Sequence, residues 1–216
     1  MIKERTARLT EDFFNRHPGL EAARPEIVAA CELLISAFRA GNKLLVCGNG
    51  GSCADSERIA GALMKSFTLR RHLPKTEVKR FTDAYGETGE MLAETLQGAL
   101  PAIALSGSGT LCSALSNEAE LTLIYAQQVL GYAKPGDVLL GICTSGNAQN
   151  VCFAMMTAKT LGAGGIALTG RDGGRLASLA DCSIIVPGQE KYRIQEEHLA
   201  VCNLMGLYVE SEMFEE

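Results

Sequence analysis

The chain has 216 residues, a length that one α/β domain accounts for, so we expect a single domain over residues 1–216. Hydrophobic residues make up 47% of the chain and charged residues 21%, a balance that excludes a wholly disordered protein. The net charge is −5, and the basic residues between Lys65 and Arg80 are followed by acidic ones. Nucleic acid is therefore not expected as a ligand, and we interpret the basic cluster as a solvated helix face or loop.

Eight cysteines are present, but none forms a CxxC pair, and five of them lie inside apolar patterns. We interpret them as small buried side chains, and we expect no metal site and no disulfides. The first 14 residues alternate charged and apolar side chains, without an apolar run long enough for export or for spanning a bilayer. These features predict a cytoplasmic protein that does not enter a membrane.

The first half of the chain predicts helices that lead into a buried strand. Apolar residues recur at helical spacing over residues 20–40, and Gly41 is a natural C-terminal cap. A short apolar run at 43–47 then predicts a strand that ends at the glycine-rich loop 48–52. Because Ser52 is followed three residues later by Asp55, we expect a capping box at the start of a helix over 53–67.

The same alternation returns in the second half of the chain. Further strands are predicted at 101–105, 138–142, 165–169 and 183–186, further helices at 111–130, 148–161 and 192–214, and a turn at 172–174. Strands that alternate with helices favour a parallel sheet, here of about five strands. The polar segment 69–97 has a basic front half and an acidic rear half, and we expect it to be an inserted helical segment.

Two loops follow predicted strands and open predicted helices, and both are rich in glycine, hydroxyl and amide residues. The first contains Asn49, Gly50, Gly51 and Ser52, and the second contains Thr144, Ser145, Gly146 and Asn147. Free N–H groups at a helix start, together with hydroxyl donors, suit a phosphate. Either loop alone could be a tight turn, but parallel sheets place ligands beyond the carboxyl ends of their strands. The pair therefore predicts a site for a phosphorylated ligand.

Two common nucleotide motifs are absent from these loops. A dinucleotide-binding G-x-G-x-x-G would need glycine where Cys53 stands, and no acidic residue is evident at the required distance. No P-loop lysine follows either loop. The sequence therefore predicts no nucleotide cofactor.

Several strings in order along the chain resemble the phosphoheptose isomerases, which belong to the sugar isomerase (SIS) domain family. They are Cys47 to Ser52, Gly136 to Ile142, Thr144 to Asn147, Leu168 to Gly174 and Arg193 to Glu196. The resemblance implies a flavodoxin-like three-layer α/β/α sandwich. It also implies a homotetramer or homodimer, with sites between subunits for a sugar phosphate such as sedoheptulose 7-phosphate.

In the family, a glutamate and a histidine on two helices move the proton between adjacent carbons, and a second histidine and a glutamine complete a site that can hold zinc. Alignment with this chain places Ala62 and Asn203 at the first pair of positions, and Arg58 and Gln195 at the second. Alanine and asparagine cannot exchange a proton near neutral pH. The resemblance thus implies that the usual acid–base pair is replaced, while Arg58 and Gln195 are candidates for ligand binding.

Other residues are candidate substitutes for the missing base. His198 lies five residues before Asn203, about 140° away around an ideal helix, so it is expected to point away from the site as an interior or interface histidine. Acidic residues of segment 69–97 could reach a neighbouring subunit's site and supply a base, but the favoured interpretation is that they keep an amphipathic helix soluble. They are Glu77, Asp83, Glu87, Glu90 and Glu94.

Three functions remain open from the sequence. The favoured one is a sugar-phosphate-binding protein with a regulatory or accessory role. The second is an active aldose–ketose isomerase that uses other residues. The third is a protein-binding adaptor without a small ligand.

Overall fold

Short apolar runs form the strands, and several of them are followed by a glycine-containing turn that leads towards a helix. The computed structural model describes residues 2–106, 109–118 and 120–215. Its strands are β1 Leu44–Gly48, β2 Ala102–Ala104, β3 Val138–Cys143, β4 Gly164–Thr169 and β5 Cys182–Ile185. Its helices are α1 Glu4–Arg16, α2 Arg24–Arg39, α3 Gly51–Met64, α4 Lys75–Thr95, α5 Gly109–Glu118, α6 Ile124–Tyr132, α7 Gln149–Thr160, α8 Gly174–Leu179 and α9 Lys191–Met213.

The five strands form one sheet in the order β2-β1-β3-β4-β5, and all neighbouring pairs are parallel. Strands β1 and β3 are fully buried, as expected for a sheet covered on both faces. The predicted parallel sheet of about five strands is confirmed. Within the described ranges, no helix is both long and apolar enough to cross a lipid bilayer.

Helices cover the sheet on both faces and give the chain two hydrophobic cores. On one face α2, α3 and α9 pack on the strands, and α1 packs on α9. On the other face α6, α7 and α8 enclose the second core, which includes Leu139, Met155 and Leu176. This is the predicted three-layer α/β/α sandwich.

Two predicted helices are divided in the structure. Residues 18–23 form a 3-10 helix, and α2 begins only at Arg24, with Pro25 in its first turn. The helix predicted over 111–130 is also wrong, because Leu121–Leu123 is a 3-10 turn between α5 and α6, while Ala119 lies outside the described residues. Helix α8, which follows the predicted turn at 172–174, was missed.

Segment 69–97 contains α4, which is kinked at Gly86 (φ 57°). Gly89 and Ala93 are its buried residues, whereas Tyr85, Met91 and Leu92 are exposed. Its acidic residues lie at the surface or partly so. Glu77 and Asp83 form ion pairs with Arg80 and Lys79 on the same helix, while Glu87, Glu90 and Glu94 are exposed.

The start of this segment is anchored by a fully buried arginine. The Arg71 side chain is 0% exposed and pairs with Glu210 of α9 at 2.9 Å. It also donates hydrogen bonds to the carbonyl oxygens of Ala62 and Leu63, which end α3, and lies over the ring of Phe214. The interpretation of the basic cluster as solvated is therefore wrong for Arg71, since ion pairing and hydrogen bonding compensate its burial.

Glu210 is equally well satisfied. Its carboxylate accepts hydrogen bonds from the backbone N–H groups of Phe67, Thr68 and Leu69 and from the Thr68 hydroxyl. Burial alone would raise the pKa of Glu210, but these bonds and the bond from Arg71 hold it below its usual value. The Arg71–Glu210 cluster thereby anchors the segment that follows α3 to the last helix, α9.

Candidate functional site

The two glycine-containing loops lie side by side at one edge of the sheet. Strands β1 and β3 are neighbours, with Cys47 opposite Gly141 and Gly48 opposite Ile142. Both loops leave the carboxyl ends of these strands, where ligands of open parallel sheets bind. The arrangement gives one edge at which both predicted phosphate loops face solvent.

The first loop turns sharply at Gly50, whose φ is +60°, a conformation that favours glycine. Gly50 is the N-cap of α3, and it has no side chain with which to cap the helix. The predicted capping box of Ser52 and Asp55 is therefore wrong. Ser52 instead lies inside the first turn, is buried, and packs against Gly48 so closely that a Cβ on Gly48 would collide with it.

Side-chain amides join the first loop to the helix that follows the second loop. Asn49 and Asn150 exchange two hydrogen bonds, each 2.9 Å long. The hydroxyl of Tyr125 donates to the carbonyl oxygen of Gly48 at 2.5 Å and lies 3.2 Å from Oδ1 of Asn49. Sequence reasoning missed Asn150 and Tyr125, because neither belongs to a recognisable motif. These contacts hold the two loops at a fixed separation.

The second loop is tied to the start of α8. Gly146 has φ +65°, and a Cβ there would collide with the carbonyl oxygen of Gly173. The Asn147 side chain donates to Ser145 O at 2.9 Å and accepts from Arg175 N–H at 3.0 Å. Asn147 thus holds the turn with both ends of its amide, while Thr144 and Ser145 are partly exposed.

An open cleft of about 360 Å³ lies beside the second loop. It is lined by Ser145, Asn147, Arg171, Asp172 and Gln189. Arg171 is exposed and is the one non-glycine residue with positive φ (56°) among those described. Sequence reasoning missed this arginine, although its position directly before the 172–174 turn, after a strand, was a usable signal.

Helices α3 and α9 bring the remaining predicted residues towards the first loop. The amide of Gln195 lies against Gly51, where an added Cβ would collide with it. Ala62 packs against Gly206 of α9, one turn beyond Asn203, and an added Cβ on Gly206 would be 3.8 Å from that of Ala62. Arg58, one turn before Ala62, is exposed and makes no ion pair within the described part of the chain.

Two titratable groups near these helices are buried. Burial raises the pKa of Asp55, an effect that the nearby Arg58 partly opposes. Burial lowers the pKa of His198 to about 4, although the backbone of Thr169 favours its charged form. His198 is 0% exposed, and its ring nitrogens have no hydrogen-bond partner of acceptable geometry in the described residues. It lies inside the protein, as expected for an interior histidine.

The donor set does not fit the zinc that the family resemblance implies. A methyl group stands at Ala62 and a guanidinium at Arg58, and neither can ligate a metal. The amides of Asn203 and Gln195 are poor zinc ligands compared with histidine or cysteine. In the described ranges, no group of three or more histidine, cysteine or acidic side chains is arranged to hold a metal ion.

Comparisons with known proteins agree with this architecture. The SIS domain family matches residues 81–170. The phosphoheptose isomerase of Geobacter sp. (strain M21) is 37% identical over 190 residues, covering 88% of this chain and 85% of the relative. That of Roseiflexus sp. (strain RS-1) is 35% identical over 197 residues, covering 91% and 87% of the two chains.

Solved structures agree as well. Phosphoheptose isomerase from Neisseria gonorrhoeae superimposes with a TM-score of 0.71 at 29% identity, covering 95% of this chain and 98% of that one. The enzyme from Francisella tularensis gives a TM-score of 0.73 at 28% identity, covering 90% of each chain. The chain therefore belongs to the SIS-domain family and, within it, to the proteins similar to phosphoheptose isomerase.

Proposed function

We propose that the protein binds a phosphorylated sugar at the carboxyl edge of its sheet and serves a regulatory or accessory role. The observation that carries this proposal is the contact between Ala62 and Gly206 across α3 and α9. The Ala62 methyl group cannot exchange a proton, Gly206 has no side chain, and Asn203, one turn earlier on α9, carries only an amide. Relatives named phosphoheptose isomerases suggest the ligand class, while these positions argue against their chemistry.

Ligand binding in this proposal divides between the two loops. Backbone N–H groups at the start of α7, with the hydroxyls of Thr144 and Ser145, would hold the phosphate. Arg171, at the rim of the 360 Å³ cleft, would add a guanidinium to the same group. The sugar would then extend towards the first loop, where Arg58 of α3 and Gln195 of α9 lie.

Thermal denaturation with and without sedoheptulose 7-phosphate, combined with a turnover assay, tests the proposal. We expect the melting temperature to rise without turnover, since a ligand at a hundred times its Kd stabilises by about 2.7 kcal/mol. Inorganic phosphate should give a smaller rise. If the melting temperature does not respond to any phosphorylated sugar, the adaptor function replaces the proposed one.

A gain-of-function variant examines the missing acid–base pair directly. We expect Ala62→Glu combined with Asn203→His to create measurable isomerisation, because these changes restore a base and its partner on facing helices. The single variants serve as controls and should remain inactive. If the double variant binds the sugar but stays inactive, the pocket must differ from those of the relatives at further positions.

An active isomerase is the second candidate, and Asp55 is the observation that favours it. A buried carboxyl with a raised pKa beside a candidate ligand site is typical of a group that exchanges protons. If the wild-type protein turns over substrate, Asp55→Asn should abolish the activity. A variant in which Glu87, Glu90 and Glu94 are all replaced by glutamine tests whether these exposed acids of α4, and not Asp55, supply the base. They would have to act from a neighbouring subunit.

We also propose that the protein forms a homotetramer or homodimer with sites between subunits. The resemblance to phosphoheptose isomerases supports this assembly. Light scattering on the eluting protein measures it, and a monomeric mass would overturn it.

A further inference from the structure

A second cavity lies at the opposite edge of the sheet from the two loops. It has a volume of about 330 Å³ and lies between the C-terminal halves of α2 and α9. One face of α2 lines it at the spacing i, i+3, i+4 and i+7, and the residues at these positions are Glu32, Ile35, Ser36 and Arg39. Tyr208 and Glu212, one turn apart on α9, form the facing wall, and Ile2 completes the lining.

Tyr208 gives this cavity an unsatisfied polar group. Its side chain is 1% exposed, and its hydroxyl has no hydrogen-bond partner in the described part of the chain. A buried hydroxyl without a partner costs about 1–3 kcal/mol, so such groups are rare unless water or a ligand satisfies them. Burial raises the pKa of Tyr208, and negative charge on Cys31, Glu32 and Glu212 adds to this effect, which together bring the pKa to about 12.

Charges of both signs surround the phenol. Glu212 is held in place by the backbone N–H of Lys3 and the Thr6 hydroxyl, which both bind its Oε1. Burial alone would raise the pKa of Glu212, but these bonds and the charges of Lys3 and Arg39 keep it below its usual value, so Glu212 is ionised at neutral pH. Glu32 and Arg39 are exposed at the mouth. Ile2 and Ile35 supply apolar surface beside these groups.

We propose that this cavity binds a free α-amino acid with a short aliphatic side chain. The three N–H groups of its ammonium find three acceptors in Glu32, Glu212 and the Tyr208 oxygen. Its carboxylate pairs with Arg39, and its aliphatic part lies against Ile2 and Ile35. A cation alone would leave Arg39 unused, and an anion alone would face two carboxylates. The site is independent of the sugar-phosphate site proposed above.

Isothermal titration calorimetry of the full chain with L-leucine tests this assignment. Two analogues that each lack one charged group, 3-methylbutylamine and 4-methylpentanoate, are titrated in parallel. We expect leucine to bind at least about ten-fold more tightly than either analogue, since each has lost a charge-assisted contact. Binding of the amine as tightly as leucine would overturn the amino-acid class, and no heat with any of the three would overturn the site.

Matched variants locate the binding. Tyr208→Phe and Glu32→Gln should each weaken leucine about ten-fold or more, while Glu87→Gln on exposed α4 should leave it unchanged. Tyr208→Phe removes a hydroxyl without a partner, so the fold does not depend on it. Leucine affinity unchanged in both cavity variants would place the ligand elsewhere and overturn the proposal. Response to sedoheptulose 7-phosphate, measured in the same variants, should match the wild type.

Discussion

The carboxyl edge of the sheet and the Arg71–Glu210 cluster are both polar, but their polar groups are engaged in opposite ways. At the cluster, the guanidinium and the carboxylate are buried, and each makes several hydrogen bonds within the chain. At the edge, Arg58 and Arg171 are exposed. The amides of Asn49, Asn147 and Asn150 are hydrogen-bonded there, and they fix the loops.

This difference separates structural charge from charge available to a ligand. A charge buried with all its partners is committed to the fold, because removing one partner leaves the other unpaired in a medium of low dielectric constant. A cation held at the surface beside loop amides retains its capacity to pair with an incoming phosphate. Both kinds of charge lie along α3, which carries the exposed Arg58 and whose last turn accepts hydrogen bonds from the buried Arg71.

The largest expected effect comes from breaking the buried cluster. Glu210→Gln should lower the free energy of unfolding by about 3–5 kcal/mol, because it leaves the Arg71 guanidinium buried without its counter-ion. Urea denaturation monitored by circular dichroism measures the change. The neighbouring Arg70→Ala is the matched control and should change stability by less than about 0.5 kcal/mol, since Arg70 is exposed.

A second variant distinguishes a structural cluster from a functional one. Replacing both partners, with Arg71→Met and Glu210→Leu, should recover much of the lost stability. If the double variant is as unstable as Glu210→Gln, the hydrogen bonds to the backbone of residues 62–69 contribute more than the ion pair. In that case the contrast between the two regions would rest on backbone anchoring instead of charge.

His198 sharpens the comparison, because it is a buried base whose ring nitrogens have no well-formed hydrogen bond to the described residues. Its pKa of about 4 in the folded chain lies below the usual 6.5, so the unfolded chain takes up a proton first as the pH falls. The contribution of neutral His198 to the free energy of unfolding is therefore fully present above pH 6.5. As the pH falls from 6.5 to 4, the free energy of unfolding should decrease by roughly 3 kcal/mol. Urea denaturation across this range measures the loss.

The variant His198→Leu isolates this contribution. It should flatten the decline between pH 6.5 and about 5, where the carboxylates are still ionised. Glu210 and Asp137 have lowered pKa values, so both proteins should lose further stability at lower pH as these groups take up protons. Identical pH profiles for wild type and variant would mean that His198 is satisfied in solution.

The positions of the strands and of the loops along the chain could be predicted from sequence, because both depend on local patterns. Apolar runs that end in glycine loops fixed all five strands to within about two residues. The helix predicted over 111–130 was wrong because apolar residues continue through the 3-10 turn Leu121–Leu123 without a glycine or proline to mark it. Pro25, in contrast, is a usable sequence signal for the start of α2, because proline favours the first turn of a helix.

The site and the buried cluster were harder to predict, because their contacts join distant parts of the chain. Arg71 looked like one of several surface cations, and its burial depends on Glu210, 139 residues later. Asp55 looked like a capping residue, yet it is buried, and after burial itself its carboxyl is the next cause that raises the pKa of the Cys202 thiol on α9. Such pairings follow from the packing of α3 on α9, which no local pattern specifies.

The smallest expected change in stability comes from Gly51→Ala at the carboxyl edge. The added methyl would displace the Gln195 amide, a flexible group, so stability should change by less than about 1 kcal/mol. Gly61→Ala on the same helix meets no atom within 4 Å and is the matched control. Sugar-phosphate affinity, measured by calorimetry, should fall about ten-fold in Gly51→Ala alone, because Gln195 loses its position. Equal affinities in the two variants would remove Gln195 from the site and confine ligand binding to the second loop and Arg171.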